Sequence, residues 1–291
     1  MIDSIDALRA ARAALIGRVG LVPTMGALHA GHLALVNAAR GDSDAVIVTI
    51  FINPTQFAAN EDLSKYPRDL PHDLDLLRAA GVDLVFTPTP DVMYPADFQT
   101  WLDVTEVSQG LEGARRPGHF KGVATIVAKL FNLTQPHVAY FGQKDAQQVA
   151  VIKRMVRDLN FPLAIAVIPT QRESDGLAMS SRNVYLSPEQ RAGAGVIRRA
   201  LDAAAEAYAR GERAPFALRQ AMLNILAAEP LAEPDYVSAA AAARLHELDA
   251  PTDEPILLSL AVKFGSTRLL DNMLLPAALN TRDGLTRVLG G

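Results

Sequence analysis

The sequence predicts a doubly wound α/β domain built on a parallel sheet, followed by a smaller α+β C-terminal domain. Three observations predict it. Through the first 170 residues or so, short β-branched runs alternate with segments of helical apolar spacing, the order of strand–helix–strand units. Ala45-Val46-Ile47-Val48-Thr49-Ile50-Phe51 is almost continuously apolar, as a strand buried on both faces of a parallel sheet must be. After Asn183 the chain turns Ala- and Arg-rich and helical, and strand-like segments return only near its end.

The elements follow in order. Val19-Gly20-Leu21-Val22-Pro23 reads as the first strand, with His32 to Arg40 as the helix behind it. Ala45–Phe51 is the second strand. Asp73 to Ala80 reads as a helix stopped by Gly81, a residue suited to the left-handed position after a helix. Val82 to Phe86 is a strand ended by Pro88 and Pro90. Val123 to Asn132 is helical, His137 to Phe141 a strand, Asp145 to Leu159 a helix and Leu163 to Ile168 a strand before Pro169. Ser187 then caps a new helix with Pro188 at its first position, and helical sequence continues to about Ala228. Tyr236–Ser238, Ile256–Val262 and Arg268–Leu270 form a small sheet. The alanine run Ala239 to Ala243 carries no evident chemistry. The expected division is a Rossmann-like domain over 1–183 and an α+β domain over 184–291.

Composition bounds the function. A length of 291 residues favours two domains, and 49% hydrophobic residues supply cores for both. No cysteine is present, which excludes a disulfide framework, a thiolate nucleophile, a Cys-ligated zinc site and an iron–sulfur cluster. With 28 basic and 32 acidic residues, the net charge of -4 argues against a nucleic-acid partner. No apolar window of about 18 residues appears, so no membrane span is expected. Met1-Ile2-Asp3-Ser4-Ile5-Asp6 carries acid where a signal peptide carries base. A cytoplasmic protein is the expectation.

The sharpest motif is Pro23-Thr24-Met25-Gly26-Ala27-Leu28-His29-Ala30-Gly31-His32. It lies where the first strand meets the first helix, the ligand-binding edge of an open α/β sheet. Gly26 and Gly31 admit close backbone approach, and a helix N-terminus offers unpaired N–H donors to phosphate. His29 and His32 share one helical face and could donate to a triphosphate as charge shifts. A chance pair, a capping feature or half a metal site are the alternatives. Zinc is the weakest of these, for want of a third ligand at a usual spacing. Gly113 to Gly118 begins like a phosphate loop but continues His119-Phe120, so that motif fails.

Two further segments suit a nucleotide. Phe141-Gly142-Gln143-Lys144-Asp145 again joins a strand end to a helix, with one lysine as a mobile charge for phosphate oxygens. An exposed surface lysine is the plain alternative. Asp175 to Asn183 combines a glycine turn with Ser180, Ser181 and Arg182, either a second phosphate clamp or a capped loop. Asp69, Asp73 and Asp75 could serve magnesium or simply face solvent on a helix.

Together these segments resemble the HIGH/KMSKS nucleotidyltransferase superfamily, and more closely the pantoate–β-alanine ligase family. The resemblance runs through Val22–Gly26, Phe51-Ile52-Asn53-Pro54-Thr55-Gln56-Phe57, Tyr66-Pro67-Arg68, Arg116–Val123, Phe141–Gln148, Asp175–Asn183 and, weakly, Thr267–Asn272. It implies ATP-dependent condensation of pantoate with β-alanine through a pantoyl adenylate, with Mg²⁺ and release of AMP and pyrophosphate. It implies that Met25, Gly26, His29 and His32 form the ATP box, with His32 as proton donor and His29 as its companion. Gln56 and Gln148 would hold pantoate. Gly142, Gln143, Lys144 and Asp145 would form an ATP-contacting turn, with Lys144 on the phosphates. Gln171 would meet adenine through its backbone, and Met179, Ser180, Ser181 and Arg182 would form the second phosphate loop. Relatives commonly carry Glu where this chain has Gln143. The second domain is expected to act as a lid. A homodimer is also implied, although the apolar Val46–Phe51 region gives no independent proof of one. The magnesium ligands stay unassigned.

A nucleotidyltransferase that keeps the nucleotide in its product shares the histidine box but needs no glutamine pair. A tRNA-binding module and a non-catalytic nucleotide sensor are further alternatives. The acidic balance disfavours the first of these, and the intact His29, His32, Lys144 and Arg182 the second.

Overall fold

The alternating runs become a succession of strands and helices in a computed structural model that describes residues 1–57, 63–64 and 66–291. Along the first part of the chain lie α1 (Ile5–Ala14), β1 (Val19–Thr24), α2 (Ala30–Asp42), β2 (Ala45–Ile50), α3 (Leu70–Ala79) and β3 (Leu84–Phe86). There follow α4 (Pro90–Met93), α5 (Leu111–Arg115), α6 (His119–Thr134), β4 (Val138–Gly142), α7 (Ala146–Asp158) and β5 (Ala164–Ile168). Two units result. One comprises Met1–Phe141 with Val151–Ile168, the other Gly142–Ala150 with Pro169–Gly291.

In the first unit the sheet order is β3-β2-β1-β4-β5, and β1 pairs in parallel with both β2 and β4, as β2 does with β3. The strand order reverses between β1 and β4, so the crevice beyond their carboxyl ends is where such a sheet takes its ligand. Val46, Ile47 and Val48 have no exposed surface. Their apolar run is consumed in the centre of the sheet, where Val46 and Val48 join Val22, Val36, Leu77 and Tyr140 in one core. Ile2 bridges to Phe86 and covers part of the β3 edge, which keeps that edge from pairing with another chain.

Three discrepancies with the sequence reading lie at helix starts. Helix α2 begins at Ala30 rather than His32, because a histidine, His29, serves as its cap. Helix α3 begins at Leu70 rather than Asp73, because Asp69 accepts the N–H of His72. Helix α6 begins at His119 rather than Val123. Helix α1, capped by Ser4, is additional to the elements expected, as are the short α4 and α5.

The second unit contains α8 (Pro188–Gly193), α9 (Val196–Ala209), α10 (Pro215–Leu226), β6 (Glu233–Ala241), β7 (Ile256–Phe264), β8 (Thr267–Leu275) and α11 (Arg282–Val288). Ser187 and Gln190 form a reciprocal capping box at α8. The sheet is antiparallel, in the order β6-β7-β8. Its strands outrun the expected segments by several residues. Ile197, Leu201, Leu218, Met222 and Leu226 of the helices share a core with Leu258, Leu260 and Val262 of β7. The alanine run has a role after all, since Ala239 to Ala242 are fully buried at the end of β6. No helix among the described residues is long and apolar enough to cross a membrane.

Candidate active site

The β1–α2 loop is built around its two histidines. The Nδ1 of His29 accepts the N–H of Gly31 at 3.1 Å, and the Nδ1 of His32 accepts the N–H of His29 at 3.3 Å. This is a capping box made of imidazoles. The rings lie 4.2 Å apart between centroids, tilted by 45°. Because each Nδ1 lends its lone pair to a backbone N–H, each neutral ring carries its proton on Nε2. The capping and phosphate-donor alternatives therefore do not compete, since Nδ1 serves the helix and Nε2–H is a donor.

The loop is strained and clamped. Gly26 has φ +80°, and a Cβ there would come within 3.0 Å of the Oδ2 of Asp73 and 3.1 Å of Ile50. Ala27 has φ +51°, a left-handed value that costs a residue with a Cβ about 1–2 kcal/mol. Asp73 sustains it. Its side chain is buried, and its two oxygens accept the N–H groups of Ala27 at 2.9 Å and Leu28 at 2.7 Å. Neither reading of the three aspartates therefore holds for Asp73. Asp69 caps α3 and Asp75 pairs with Arg78. No group of three or more His, Cys, Asp or Glu able to hold a metal occurs among the described residues.

Gln56 lies on a short 3₁₀ turn after β2 and is buried. Its Oε1 accepts from the Nδ2 of Asn53 at 3.0 Å, and its Nε2 donates to the Sδ of Met25 at 3.1 Å. The pantoate candidate thus touches the ATP-box candidate directly. Asn53 is itself held, since its Oδ1 accepts from Thr55 at 2.9 Å and from the Tyr94 hydroxyl at 3.0 Å. Burial pushes the Tyr94 pKa above its ordinary value, against the opposing pull of its hydrogen bonds to Thr55 and Asn53.

His119 braces the same turn. Its Nδ1 lies 2.7 Å from the Gln56 carbonyl oxygen, which can only accept, so Nδ1 donates. Nε2 is then the acceptor for the Arg116 guanidinium at 3.1 Å, and Arg116 also donates to the Gln56 carbonyl at 3.3 Å. The imidazole is neutral. Gly122 completes the arrangement. A Cβ there would collide with the Thr55 backbone, so only glycine lets α6 lie this close. Asn53, Tyr94, Asp73, Arg116 and His119 lie outside the set of site residues expected from the sequence. The resemblance does run through Asn53, Arg116 and His119, which is the available signal.

In the second unit, Lys144 follows β4 on a 3₁₀ turn, Gln143–Asp145. Its side chain is only 19% exposed and approaches Asp145 at 3.7 Å, so it is no ordinary surface lysine. The Gln143 side chain turns away from that role. Its Nε2 donates to Asn280 at 2.8 Å and its Oε1 accepts the Thr170 N–H at 3.4 Å. Gln148 is half-buried on the first turn of α7. The Gln171 carbonyl accepts the Met179 N–H at 2.9 Å, tying the two ends of a hairpin closed by the Arg172–Ala178 bridge. Ser180 caps the 3₁₀ turn Ser181–Tyr185 by accepting the Arg182 N–H at 3.2 Å. The capped-loop alternative is therefore real. It leaves the Arg182 guanidinium without an ion-pair partner among the described residues.

The sequence profile of the family described as pantoate-beta-alanine ligase matches residues 1–274. The pantothenate synthetase of Roseiflexus castenholzii (strain DSM 13941 / HLO8) is 60% identical over 277 residues, covering 95% of this chain and 99% of that one. That of Agrobacterium fabrum (strain C58 / ATCC 33970) is 54% identical and covers 87% of each. Among solved structures, pantothenate synthetase from Thermus thermophilus has a TM-score of 0.89 at 47% identity, covering 94% of this chain and 98% of its own. Pantoate-beta-alanine ligase from Francisella tularensis, complexed with beta-gamma ATP and beta-alanine, has a TM-score of 0.76 at 34% identity, covering 94% and 97%. Sequence profile, full-length relatives and fold agree, and the chain belongs to the pantoate–β-alanine ligase family.

Proposed function

We propose that this member of the family joins pantoate to β-alanine at the expense of ATP, making pantothenate, through a pantoyl adenylate. A carboxylate and an amine do not condense in water, so the carboxylate first needs a leaving group. One carboxylate oxygen of pantoate attacks the α-phosphorus of ATP, and the bond to pyrophosphate breaks. The β-alanine amine then attacks the activated carbonyl carbon and expels AMP, losing a proton. No protein nucleophile takes part, in keeping with a chain that has no cysteine. Positioning and charge stabilisation do the chemistry.

The observation that carries this reading is the imidazole capping box at the end of β1. It supplies two Nε2–H donors at a helix N-terminus, fixed before substrate arrives, which is what stabilising a departing pyrophosphate requires. In this reading His32 donates to the leaving phosphates with His29 beside it, and Lys144 balances their charge. Met25, Gly26, Gly142, Gln143 and Asp145 contribute mainly through backbone. Gln171 meets adenine through its N–H, and Met179, Ser180, Ser181 and Arg182 form the second phosphate loop. Gln56 and Gln148 hold pantoate's hydroxyl and carboxylate oxygens. A site built to bond a hydroxyl rejects analogues that lack one.

ATP enters as its magnesium complex. Asp69, Asp73 and Asp75 are spent on caps, loop and an ion pair, so the metal's remaining ligands come from phosphate and water. An acyl adenylate is hydrolysed readily, so water must be excluded, and residues 184–291 act as the lid. The functional particle is a homodimer working in the cytoplasm; light scattering of the purified protein tests the dimer.

The test is the release of AMP and pyrophosphate from ATP with pantoate, with and without β-alanine. Steady AMP release that needs both substrates supports the ligase. A stable nucleotide-containing product, or no turnover with pantoate, contradicts it.

A further inference from the structure

Strand β8 carries a polar pair where its neighbours are apolar. Asp271 and Asn272 sit between Leu269-Leu270 and Met273-Leu274-Leu275, and both are buried. Two buried polar residues in a strand are costly unless their hydrogen bonds are used. Asn272 uses one side of its carboxamide only. Its Nδ2 donates to the carbonyls of Gln143 and Lys144, each at 2.9 Å. Its Oδ1 is buried with no partner among the described residues. A residue tolerated there despite an orphaned acceptor is held for its two donors, and both end on the turn that carries Lys144.

The other half of the pair acts on the second nucleotide segment. Asp271 receives both terminal nitrogens of Arg172, at 2.5 and 3.1 Å. Arg172 in turn donates to the Gly176 carbonyl at 3.0 Å, inside the hairpin that leads into Met179–Arg182. The turn has a further brace in Gln143, through Asn280 to the backbone of Leu274. Adjacent residues of one strand therefore hold two segments that are far apart in sequence.

We propose that Asn272 is a positioning residue for Lys144, and that with Asp271 it sets the spacing between the Lys144 turn and the Met179–Arg182 loop. Without the two donors the turn loses its only side-chain ties at the Gln143 and Lys144 carbonyls among the described residues, and the lysine is presented in many orientations instead of one. Its charge remains, but the alignment that makes a point charge useful to a leaving group is lost. The proposal rests on the reading of Lys144 as a phosphate contact, and the test separates the two.

The test is a double-mutant cycle on the full chain, with Lys144→Ala, Asn272→Ala and the double variant. The readout is calorimetric titration with magnesium α,β-methylene-ATP, alongside kcat and the KM values for ATP and pantoate. Asn272→Ala is expected to weaken analogue binding about tenfold and to lower kcat, with the pantoate KM unchanged. In the Lys144→Ala background the same change is expected to cost less than twofold. A loss of equal size in both backgrounds overturns the proposal, because a residue that only supports the fold acts whether or not Lys144 is present. If Lys144→Ala alone binds the analogue like the parent, the reading of Lys144 fails and the proposal falls with it. Should Asn272→Ala not fold, as judged by circular dichroism, Asn272→Ser retains one donor and must show the same non-additivity at smaller amplitude. Additive losses there overturn the proposal equally.

Discussion

At the residue scale, the Nδ1 of each histidine serves the fold by capping α2, and the proposed chemistry falls to Nε2. His32→Ala removes the donor and one half of the cap. The expected result is a fall in adenylation rate of roughly 100- to 1,000-fold, the usual cost of losing one preorganised donor, with the overall fold retained. Single-turnover pyrophosphate release measures it, and a rate near the parent's would remove His32 from the mechanism. Asp73 makes a different prediction. In Asp73→Asn a carboxamide offers one acceptor where the loop needs two, leaving a buried N–H unpaired at about 1–3 kcal/mol. The expected outcome is a lower melting temperature together with a raised KM for ATP, since the clamped loop is the one that presents His29. A change in melting temperature alone would make Asp73 purely structural.

At the scale of elements, most of the architecture was legible, because a strand buried on both faces must be written in apolar residues and Ala45–Phe51 is. The box at β1–α2 was legible because histidines beside glycines at a strand end are conspicuous. What was not legible were features whose partners lie far off in sequence. Nothing around Asp73 announces that its oxygens end on Ala27 and Leu28, 45 or so residues earlier. Nor does the local sequence show that Asn272 reaches back to Gln143. The start of α2 differs from the sequence reading because an unusual residue, His29, caps it, whereas α3 simply begins one turn earlier, at an ordinary aspartate cap.

The loop 172–178 gives a pH prediction at this scale. Asp175 accepts from both terminal nitrogens of Arg191, at 2.5 and 3.2 Å, and the guanidinium holds its carboxyl below the usual range. A depressed folded-state pKa contributes stability above the unfolded-state value, which is lost as pH falls through the folded one. Both partners are more than a third exposed, so the effect is small. Asp175→Asn is expected to be slightly less stable than the parent at neutral pH, with the gap beginning to close as pH falls below the ordinary Asp value of about 3.9 and vanishing only once pH has passed below the lowered folded-state value. Thermal melts across that range check it, and a gap that persists in acid would assign the loss to packing.

At the scale of the whole molecule, the proposed reaction requires that a reactive acyl adenylate survive until the amine arrives. That requirement is the reason for treating residues 184–291 as a lid. Small-angle scattering is expected to show a smaller radius of gyration with magnesium ATP analogue and pantoate bound than without them, and an unchanged radius would refute closure.

The adenylate itself is tested most directly by following an oxygen. With pantoate labelled with ¹⁸O in its carboxylate, attack on the α-phosphorus followed by expulsion of AMP must carry one labelled oxygen into each AMP formed. Mass spectrometry of the products is expected to find it there, with none in pyrophosphate. Label in pyrophosphate or inorganic phosphate, or its complete retention in pantothenate, would contradict the mechanism.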